Sequence, residues 1–201
     1  MRILVIGATG TIGAAVSQAL DGRHEVIRAS LSRSALALDL ADPESIKRLY
    51  ARVGTVDAVV GAAGKAAFGP LLALSDEDFS LGLTSKLMGQ VNLVRLGVDA
   101  LADRGSFTLT SGFLSRHPMP GSAAISLVNA GLEGFVRGAA LDLPRGIRIN
   151  AVAPGWVSET LVALKRDPSS GVPAAELAQA YVKLIEGSMT GQVHDVVGTG
   201  S

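Results

Sequence analysis

Short apolar runs alternate with longer segments of helical hydrophobic period along the chain. The runs are continuous rather than alternating, which is typical of strands that are covered on both faces of a sheet. Strands are predicted at residues 2–6, 24–29, 35–40, 56–62, 106–111, 147–153 and 192–197. Helices are predicted between them, near residues 11–21, 43–52, 76–102, 122–142 and 174–186.

This strand–helix rhythm predicts an α/β fold: a Rossmann-like, doubly wound parallel sheet of about seven strands with helices on both faces. Asp42-Pro43 and Pro173 are helix-start signals that fit the pattern. No repeat, linker or low-complexity tract interrupts it. We therefore expect a single domain over residues 1–201, a length that can bury one core.

Composition narrows the classes of function. Lys plus Arg and Asp plus Glu number 18 each, so no net charge draws the protein to nucleic acid or anionic lipid. The absence of cysteine excludes disulfides and thiolate catalysis, and three scattered histidines form no metal motif. The apolar start "MRILVIGATG" is too short for a signal peptide or a membrane span. We expect a soluble, cytoplasmic protein with no nucleic-acid or membrane partner.

A glycine-rich turn, "VIGATGTIG", lies between the first predicted strand and the first helix. Glycines at this place let the backbone approach a pyrophosphate, which binds the free N–H groups of the helix N-terminus. The cofactor-binding candidates here are Gly7, Thr9, Gly10, Thr11, Ile12 and Gly13. The alternative is an ordinary glycine-rich turn.

The second predicted strand bears on which dinucleotide binds. An NAD site carries an Asp or Glu about 20 residues after the glycines. After Glu25 no acid occurs until Asp39, and the chain offers Ser30, Ser32 and Arg33 instead. Hydroxyls and a guanidinium suit the extra phosphate of NADP(H), which is the cofactor that we predict. The alternative is that Arg33 is a solvated loop residue.

With this turn, the chain resembles the short-chain dehydrogenase/reductase family over nearly its whole length. The further motifs are "DL" at 39–40, "GAAG" at 61–64, "LTSG" at 109–112, "NAVAPGWVSET" at 150–160 and the tail "TGQVHDVVGTG". The resemblance implies further cofactor contacts by Asp39, Leu40, Ala62, Ala63, Gly64, Pro154, Gly155, Val157 and Thr160. It implies a role for Ser158 or Thr160 at the carboxamide or pyrophosphate, and a catalytic role for Ser111.

One element of the family's chemistry is missing. The family's proton donor is a tyrosine, supported by a lysine four residues later on the same helix face. In the segment "GSAAISLVNAGLEGFVRG" these positions carry Ile125 and Asn129, and Ile125 cannot donate a proton. The other tyrosines, Tyr50 and Tyr181, are remote in sequence. The chain is therefore identified as an atypical member that lacks the Tyr-x-x-x-Lys pair.

The preceding helix offers a replacement. Aligning "KLMGQVNLVRL" with the family's helix puts Lys86 where an asparagine is expected, with Gly89 at the motif glycine. We hypothesise an exchanged pair in which Lys86 supplies an ammonium and Asn129 holds the nicotinamide ribose; the catalytic candidates are Ser111, Lys86 and Asn129. Lys86 as an ordinary exposed lysine is the alternative, and His117 is a further candidate for the missing acid.

Two functions stay open at this point. The first is an NADP(H)-dependent oxidoreductase acting on a small carbonyl or alcohol substrate through a non-standard site. The second is a catalytically inactive NADP(H)-binding sensor or partner protein. Related NADP-binding epimerases and flavin reductases are a weaker option, because the Pro154-Gly155 and "TGQV" motifs argue against them.

Two expectations concern the loops and the assembly. The loop between Thr160 and Pro173 is short, which favours an open or small pocket. The family resemblance implies a homodimer or homotetramer that packs through the helices near 76–102 and 122–142. The apolar residues offered by the second helix are Leu127, Leu132, Phe135 and Ala139, and some of this apolar surface must face the sheet.

Overall fold

The computed structural model describes residues 1–198, whose strands form one seven-stranded parallel sheet in the order β3-β2-β1-β4-β5-β6-β7. The strands are β1 (Arg2–Ile6), β2 (Glu25–Ser30), β3 (Leu36–Ala37), β4 (Val56–Gly61), β5 (Leu101–Thr110), β6 (Arg148–Pro154) and β7 (Val193–Val196). The predicted Rossmann-like, doubly wound fold is confirmed. The strand order reverses between β1 and β4, which is where such sheets open a crevice for ligands.

Helices cover both faces of the sheet. They are α1 (Thr11–Leu20), α2 (Pro43–Val53), α3 (Asp76–Gly82), α4 (Gly89–Gly97), α5 (Ala123–Asp142), α6 (Ser158–Ala163) and α7 (Ala174–Glu186). The start of α2 follows its sequence signal, because the Asp42 side chain accepts a hydrogen bond from the Glu44 N–H at 2.9 Å and Pro43 occupies the first turn. None of the helices within residues 1–198 is both long and apolar enough to cross a membrane.

The core consists of two apolar layers, one on each face of the sheet. Successive residues of β1 show the division: Leu4 and Ile6 pack with α2, α4 and α5, whereas Ile3 and Val5 pack with α1 and α7. Both sets are fully buried, which explains why the strands read as continuous apolar runs.

The prediction of one long helix over 76–102 is wrong in the middle of that segment and at its end. Residues Leu83–Met88 form a π-helical turn between α3 and α4, and a 3₁₀ turn follows at Val98–Ala100. Residue 101 already belongs to β5, whose pairing with β4 shifts register between Val56 and Ala58. Hydrophobic period does not distinguish a π turn from an α turn, and the sequence does not mark the irregular register at which β5 begins.

Two other segments differ from their prediction, and one prediction falls partly outside the described residues. The segment predicted as strand 35–40 pairs only at Leu36–Ala37. The segment after Val157 forms α6, where no helix was predicted, and a 3₁₀ turn follows at Pro168–Ser170. Residues 199–200 of the tail motif and the predicted domain end at 201 lie outside the described residues.

The surface proposed for assembly is only partly available. Leu132 is fully buried between α5 and the sheet, so it belongs to the part of that apolar surface that faces the sheet. Phe135 and Ala139 are half-buried and pack against the same core, whereas Leu127 is 49% exposed. Leu127 therefore carries most of that predicted surface, and a homodimer or homotetramer stays a prediction.

Candidate active site

A cavity of about 650 Å³ lies at the carboxyl ends of β4, β5 and β6, beside the glycine-rich turn. Its size is in the range of small-molecule sites, which is about 300–1,000 Å³. Eleven of the predicted site residues line it: Ile12, Ala62, Ala63, Gly64, Lys86, Ser111, Asn129, Pro154, Gly155, Val157 and Thr160. The three catalytic candidates, which come from three separate elements, are thus brought to one place.

Lys86 reaches the cavity from the π-helical turn. Its Nζ donates a hydrogen bond to the backbone oxygen of Ser111 at 3.1 Å, and the side chain is half-buried. Gly64 makes room for this packing, because a Cβ at that position would lie 2.8 Å from the Cα of Lys86. Burial lowers the pKa of Lys86 to about 8, because a partly dry site disfavours the ammonium. Lys86 can therefore exchange a proton near neutral pH.

Ser111 lies just after β5 and is 1% exposed. Its Oγ donates a hydrogen bond to Oε1 of Glu133 at 2.8 Å. Glu133 is also 1% exposed, and sequence reasoning did not single it out. The signal that could have found it is spacing, since Ile125, Asn129 and Glu133 follow each other at intervals of four residues and share one face of α5.

Glu133 is held by several donors besides Ser111. The Ser115 hydroxyl donates to Oε1 at 2.5 Å, and Arg116 approaches Oε2 at 3.2 Å. Arg137 lies 3.8 Å from Oε2, one helical turn further along α5. Arg116 also pairs with Asp195 on β7. A buried carboxylate with cationic partners and hydroxyl donors is a stable arrangement, and it anchors the hydroxyl of Ser111.

Asn129 presents an amide to the cavity. Its side chain is 1% exposed, and its Oδ1 has no hydrogen-bond partner among residues 1–198. Gly112 leaves space for this amide, because a Cβ there would lie 2.6 Å from Nδ2. A buried, unpaired acceptor is costly unless a ligand or water supplies the donor. Ile125, one turn earlier, adds an apolar side chain to the same cavity.

The glycine-rich turn has the geometry needed for a pyrophosphate. Gly7 adopts φ +83°, and a Cβ there would lie 2.5 Å from the backbone oxygen of Ala62, so only glycine fits. α1 begins after Gly10 with no side-chain cap and no acidic residue in its first turn. Its first N–H groups are therefore free of a competing carboxylate, which suits an anion.

Two smaller clefts continue from this turn. One, of about 270 Å³, includes Ser30, Asp39 and Leu40 together with Gly7 and Gly64. The carboxylate of Asp39 accepts a hydrogen bond from the Ala41 N–H at 2.9 Å.

The other cleft, of about 420 Å³, includes Thr9, Arg28, Arg33 and Ser34, and no carboxylate among the described residues lines it. Arg33 adopts φ +58°, and Arg28 pairs with Asp21 at 2.5 Å.

The hydroxyls predicted for the second strand are partly engaged. Ser30 is buried, and its Oγ donates to the backbone oxygen of Ser32 at 2.6 Å. The Thr9 hydroxyl donates to the same oxygen at 3.4 Å, and Ser32 itself lines neither cleft. Thr11 lies in the first turn of α1, next to Ile12 and Gly13.

Other candidates lie away from the cavity. His117 is exposed, stacks on Phe113 at a ring distance of 4.1 Å and does not line the cavity. Tyr181 is fully buried behind the site, where its hydroxyl contacts Oγ1 of Thr110 at 2.8 Å, and Tyr50 donates to the Leu93 oxygen at 2.7 Å. Burial raises the pKa of both phenols. Neither tyrosine lines the cavity, so neither stands in for the missing acid.

Two further placements complete the site. The Ser158 hydroxyl donates to the backbone oxygen of Pro168 at 3.1 Å and does not line the cavity, whereas Thr160 does. Within residues 1–198, no cluster of three His, Asp or Glu side chains is arranged to hold a metal ion.

Comparison with known proteins identifies the family. A family model described as enoyl-(acyl carrier protein) reductase matches residues 8–196. Carbonyl reductase family member 4 of Danio rerio is 28% identical, over 94% of this chain and 93% of its own length. The 3-oxoacyl-acyl-carrier-protein reductase FabG of Escherichia coli is 28% identical over 88% of this chain and 84% of its own length.

Solved structures agree with this result. The protein lin1944 from Listeria innocua is 42% identical with a TM-score of 0.93, and the match covers 98% of this chain and 99% of that one. A small-chain dehydrogenase in complex with NADPH is 28% identical with a TM-score of 0.88, over 100% of this chain and 98% of its own. The protein described here therefore belongs to the short-chain dehydrogenase/reductase family.

Proposed function

We propose that the protein is an NADP(H)-dependent oxidoreductase that acts on a small carbonyl or alcohol substrate through a non-standard active site. The observation that carries this proposal is the convergence of Lys86, Ser111 and Asn129 on one cavity beside the glycine-rich turn. Membership of an oxidoreductase family and the similarity to an NADPH-bound dehydrogenase support it.

The clefts fit the parts of a phosphorylated dinucleotide. The pyrophosphate would lie at the N-terminus of α1, and the adenosine in the cleft beside Asp39 and Leu40. The extra phosphate would meet Arg33 in the neighbouring cleft. Oδ1 of Asn129, which has no partner within the described residues 1–198, can accept a hydrogen bond from a ribose hydroxyl. When bound, the cofactor would supply or accept the hydride.

Lys86 and Ser111 are the groups that would contact the reacting oxygen of the substrate. Lys86 places an ammonium at the cavity, where it can polarise a carbonyl or pass it a proton near neutral pH. Ser111 can accept a hydrogen bond from the O–H of an alcohol substrate through the lone pairs of its hydroxyl, since that hydroxyl itself donates to Glu133. The side chains of Ile125 and Trp156 add apolar surface to the same cavity.

Cofactor choice gives the first test. We expect the Arg33→Ser variant to bind NADPH about tenfold more weakly, because one charge-assisted hydrogen bond to the phosphate is lost. Its affinity for NADH should stay within about twofold. Titration of nicotinamide fluorescence measures both.

The control for this test is Arg104→Ser. Arg104 is also an exposed arginine with positive φ, +61°, but it lies on β5 away from both clefts. Wild-type protein that binds NADH more tightly than NADPH would overturn the cofactor proposal.

One observation favours a second function, that of a catalytically inactive NADP(H) sensor or partner protein. The Ser111 hydroxyl donates a hydrogen bond to Glu133, and Ile125, at the position of the family's proton donor, provides no proton. A screen of carbonyl compounds, followed by loss of NADPH absorbance, separates the two functions. Turnover that falls by about 100-fold or more in Lys86→Met supports the enzyme, whereas tight NADPH binding with no turnover favours the sensor.

A further inference from the structure

One end of the main cavity is formed by an aromatic and cationic group of three side chains: Phe68, Trp156 and Arg166, here called the cavity rim. The guanidinium carbon of Arg166 lies 5.1 Å from the centre of the Trp156 ring. Phe68 meets the same indole edge-on, with ring centres 6.5 Å apart and planes at 65°. The indole thus holds the guanidinium at the cavity by a cation–π contact.

The charged side chains described in the cavity lining are all cationic. Among residues 1–198, its lining includes two cationic side chains, Lys86 and Arg166, and no carboxylate. Lys86 already donates a hydrogen bond to the Ser111 oxygen. The Arg166 side chain forms no hydrogen bond or salt bridge with the described residues and keeps only its contact with Trp156. Its N–H donors are therefore available to a ligand.

The remaining walls are mostly apolar. Phe113, Leu114, Ile125 and Leu164 line the same cavity as the rim and the catalytic candidates. The Arg166 side chain is exposed, so its guanidinium can attract an anion from solution, and this attraction weakens as salt is added. A neutral polar ligand would gain little from this arrangement.

We propose, building on the oxidoreductase function above, that the substrate is an apolar molecule with a terminal oxyanion, a carboxylate or a phosphate, bound by Arg166. The apolar part contacts Phe68, Trp156 and Leu164, and the reacting carbonyl or alcohol reaches Lys86 and Ser111. A guanidinium binds either oxyanion through two parallel hydrogen bonds. Its contact with Trp156 fixes its position before binding, which reduces the entropy lost.

The chain offers a direct reporter, because Trp156 is its single tryptophan. We would titrate 4-phenylbutanoate, 4-phenylbutyl phosphate and the neutral 4-phenylbutanamide while following Trp156 emission, both with and without saturating NADPH. We expect at least one oxyanion to bind about tenfold more tightly than the amide at low salt, and this preference to shrink as salt is added. The two anionic probes show which oxyanion fits. Equal affinity for all three probes would overturn the proposal.

Variants test whether Arg166 is responsible for the preference for oxyanions over the amide. Arg166→Gln should lose about tenfold in oxyanion affinity and leave amide affinity unchanged, and Arg166→Lys should keep part of the preference. Lys165→Gln is the matched control, because Lys165 is the adjacent cation and does not line the cavity. An unchanged preference in Arg166→Gln would show that the oxyanion binds elsewhere.

The outcomes also separate this inference from the proposed function. Nicotinamide fluorescence reports NADPH binding independently of the probes. If NADPH binds and the probes show no charge preference, only the substrate class is wrong. If NADPH does not bind but the oxyanion preference persists in the NADPH-free titration, the oxidoreductase proposal fails and Arg166 remains an oxyanion site.

Discussion

At the scale of single residues, the hydroxyl of Ser111 decides what the site can recognise. A serine hydroxyl has one hydrogen to donate and two lone pairs that accept. Its hydrogen is directed to Glu133 at 2.8 Å, and that carboxylate is in turn held by Ser115 and Arg116. A ligand in the cavity therefore finds the Ser111 oxygen as a hydrogen-bond acceptor, which suits the O–H of an alcohol better than a carbonyl oxygen. Lys86 is then the donor that a carbonyl would use.

Glu133 should matter for stability as well as for orientation. We expect Glu133→Gln to lower the free energy of unfolding by about 1–3 kcal/mol, because the buried hydrogen bonds lose their charged acceptor. Urea unfolding followed by circular dichroism measures the change. Glu176→Gln is the control, since Glu176 is exposed at the start of α7 and should change stability by less than about 0.5 kcal/mol. Wild-type stability in Glu133→Gln would mean that this carboxylate does not hold the network together.

At the scale of elements, the π-helical turn between α3 and α4 gives Lys86 its place. The turn spans Leu83–Met88, and Lys86 Nζ reaches back to Ser111 across the end of β5. π turns are rare and are often found at functional sites.

The titration of Lys86 can be followed directly. With ¹³C-labelled lysine, we expect its ε-carbon resonance to titrate near pH 8, below the ordinary lysine value of 10.5, because burial disfavours the charge. Between pH 8 and 10.5 Lys86 binds more protons in the unfolded chain than in the folded protein, so Lys86 makes stability rise with pH in that window. Tyr50 and Tyr181, whose pKa burial raises, oppose this rise near pH 10. Lys86→Met should remove both the resonance and the rise, and Lys165→Met should remove neither. A Lys86 midpoint near 10.5 would contradict the burial argument.

At the same scale, some features of the fold and the site could be predicted from the sequence and others could not. The alternation of apolar runs and helical periods was enough for the seven-stranded sheet, and the glycine-rich turn and the "LTSG" segment marked two walls of the cavity. Glu133 was not predicted, because glutamate on a helix is usually exposed and its burial depends on β5 and the Ser115 turn. Arg166 was not predicted either, since its contact with Trp156 is created by the path of the chain after α6. Such contacts depend on tertiary packing rather than on local pattern.

At the scale of the whole molecule, the inner strand β5 joins both apolar layers to the site. Phe107 and Leu109 pack in the layer beneath α4 and α5, so Thr108 and Thr110 point to the opposite layer, beneath α7. The Thr110 hydroxyl donates to the Gly61 oxygen at 2.6 Å and contacts Tyr181. The Thr108 hydroxyl is fully buried and has no hydrogen-bond partner among residues 1–198.

This difference predicts opposite effects for the same substitution at two positions of β5. Thr108→Val should stabilise the protein by about 1–2 kcal/mol, because a buried hydroxyl without a partner is replaced by a methyl group that fits the apolar layer. Thr110→Val should destabilise it by about 1–3 kcal/mol, because the Gly61 oxygen loses its donor and the Tyr181 hydroxyl loses its partner. Both substitutions change side-chain volume and β-propensity alike, so the difference between them isolates the hydrogen bonds. Urea unfolding of the two variants beside wild type measures it, and a Thr108→Val variant as unstable as Thr110→Val would show that the Thr108 hydroxyl has a partner in solution.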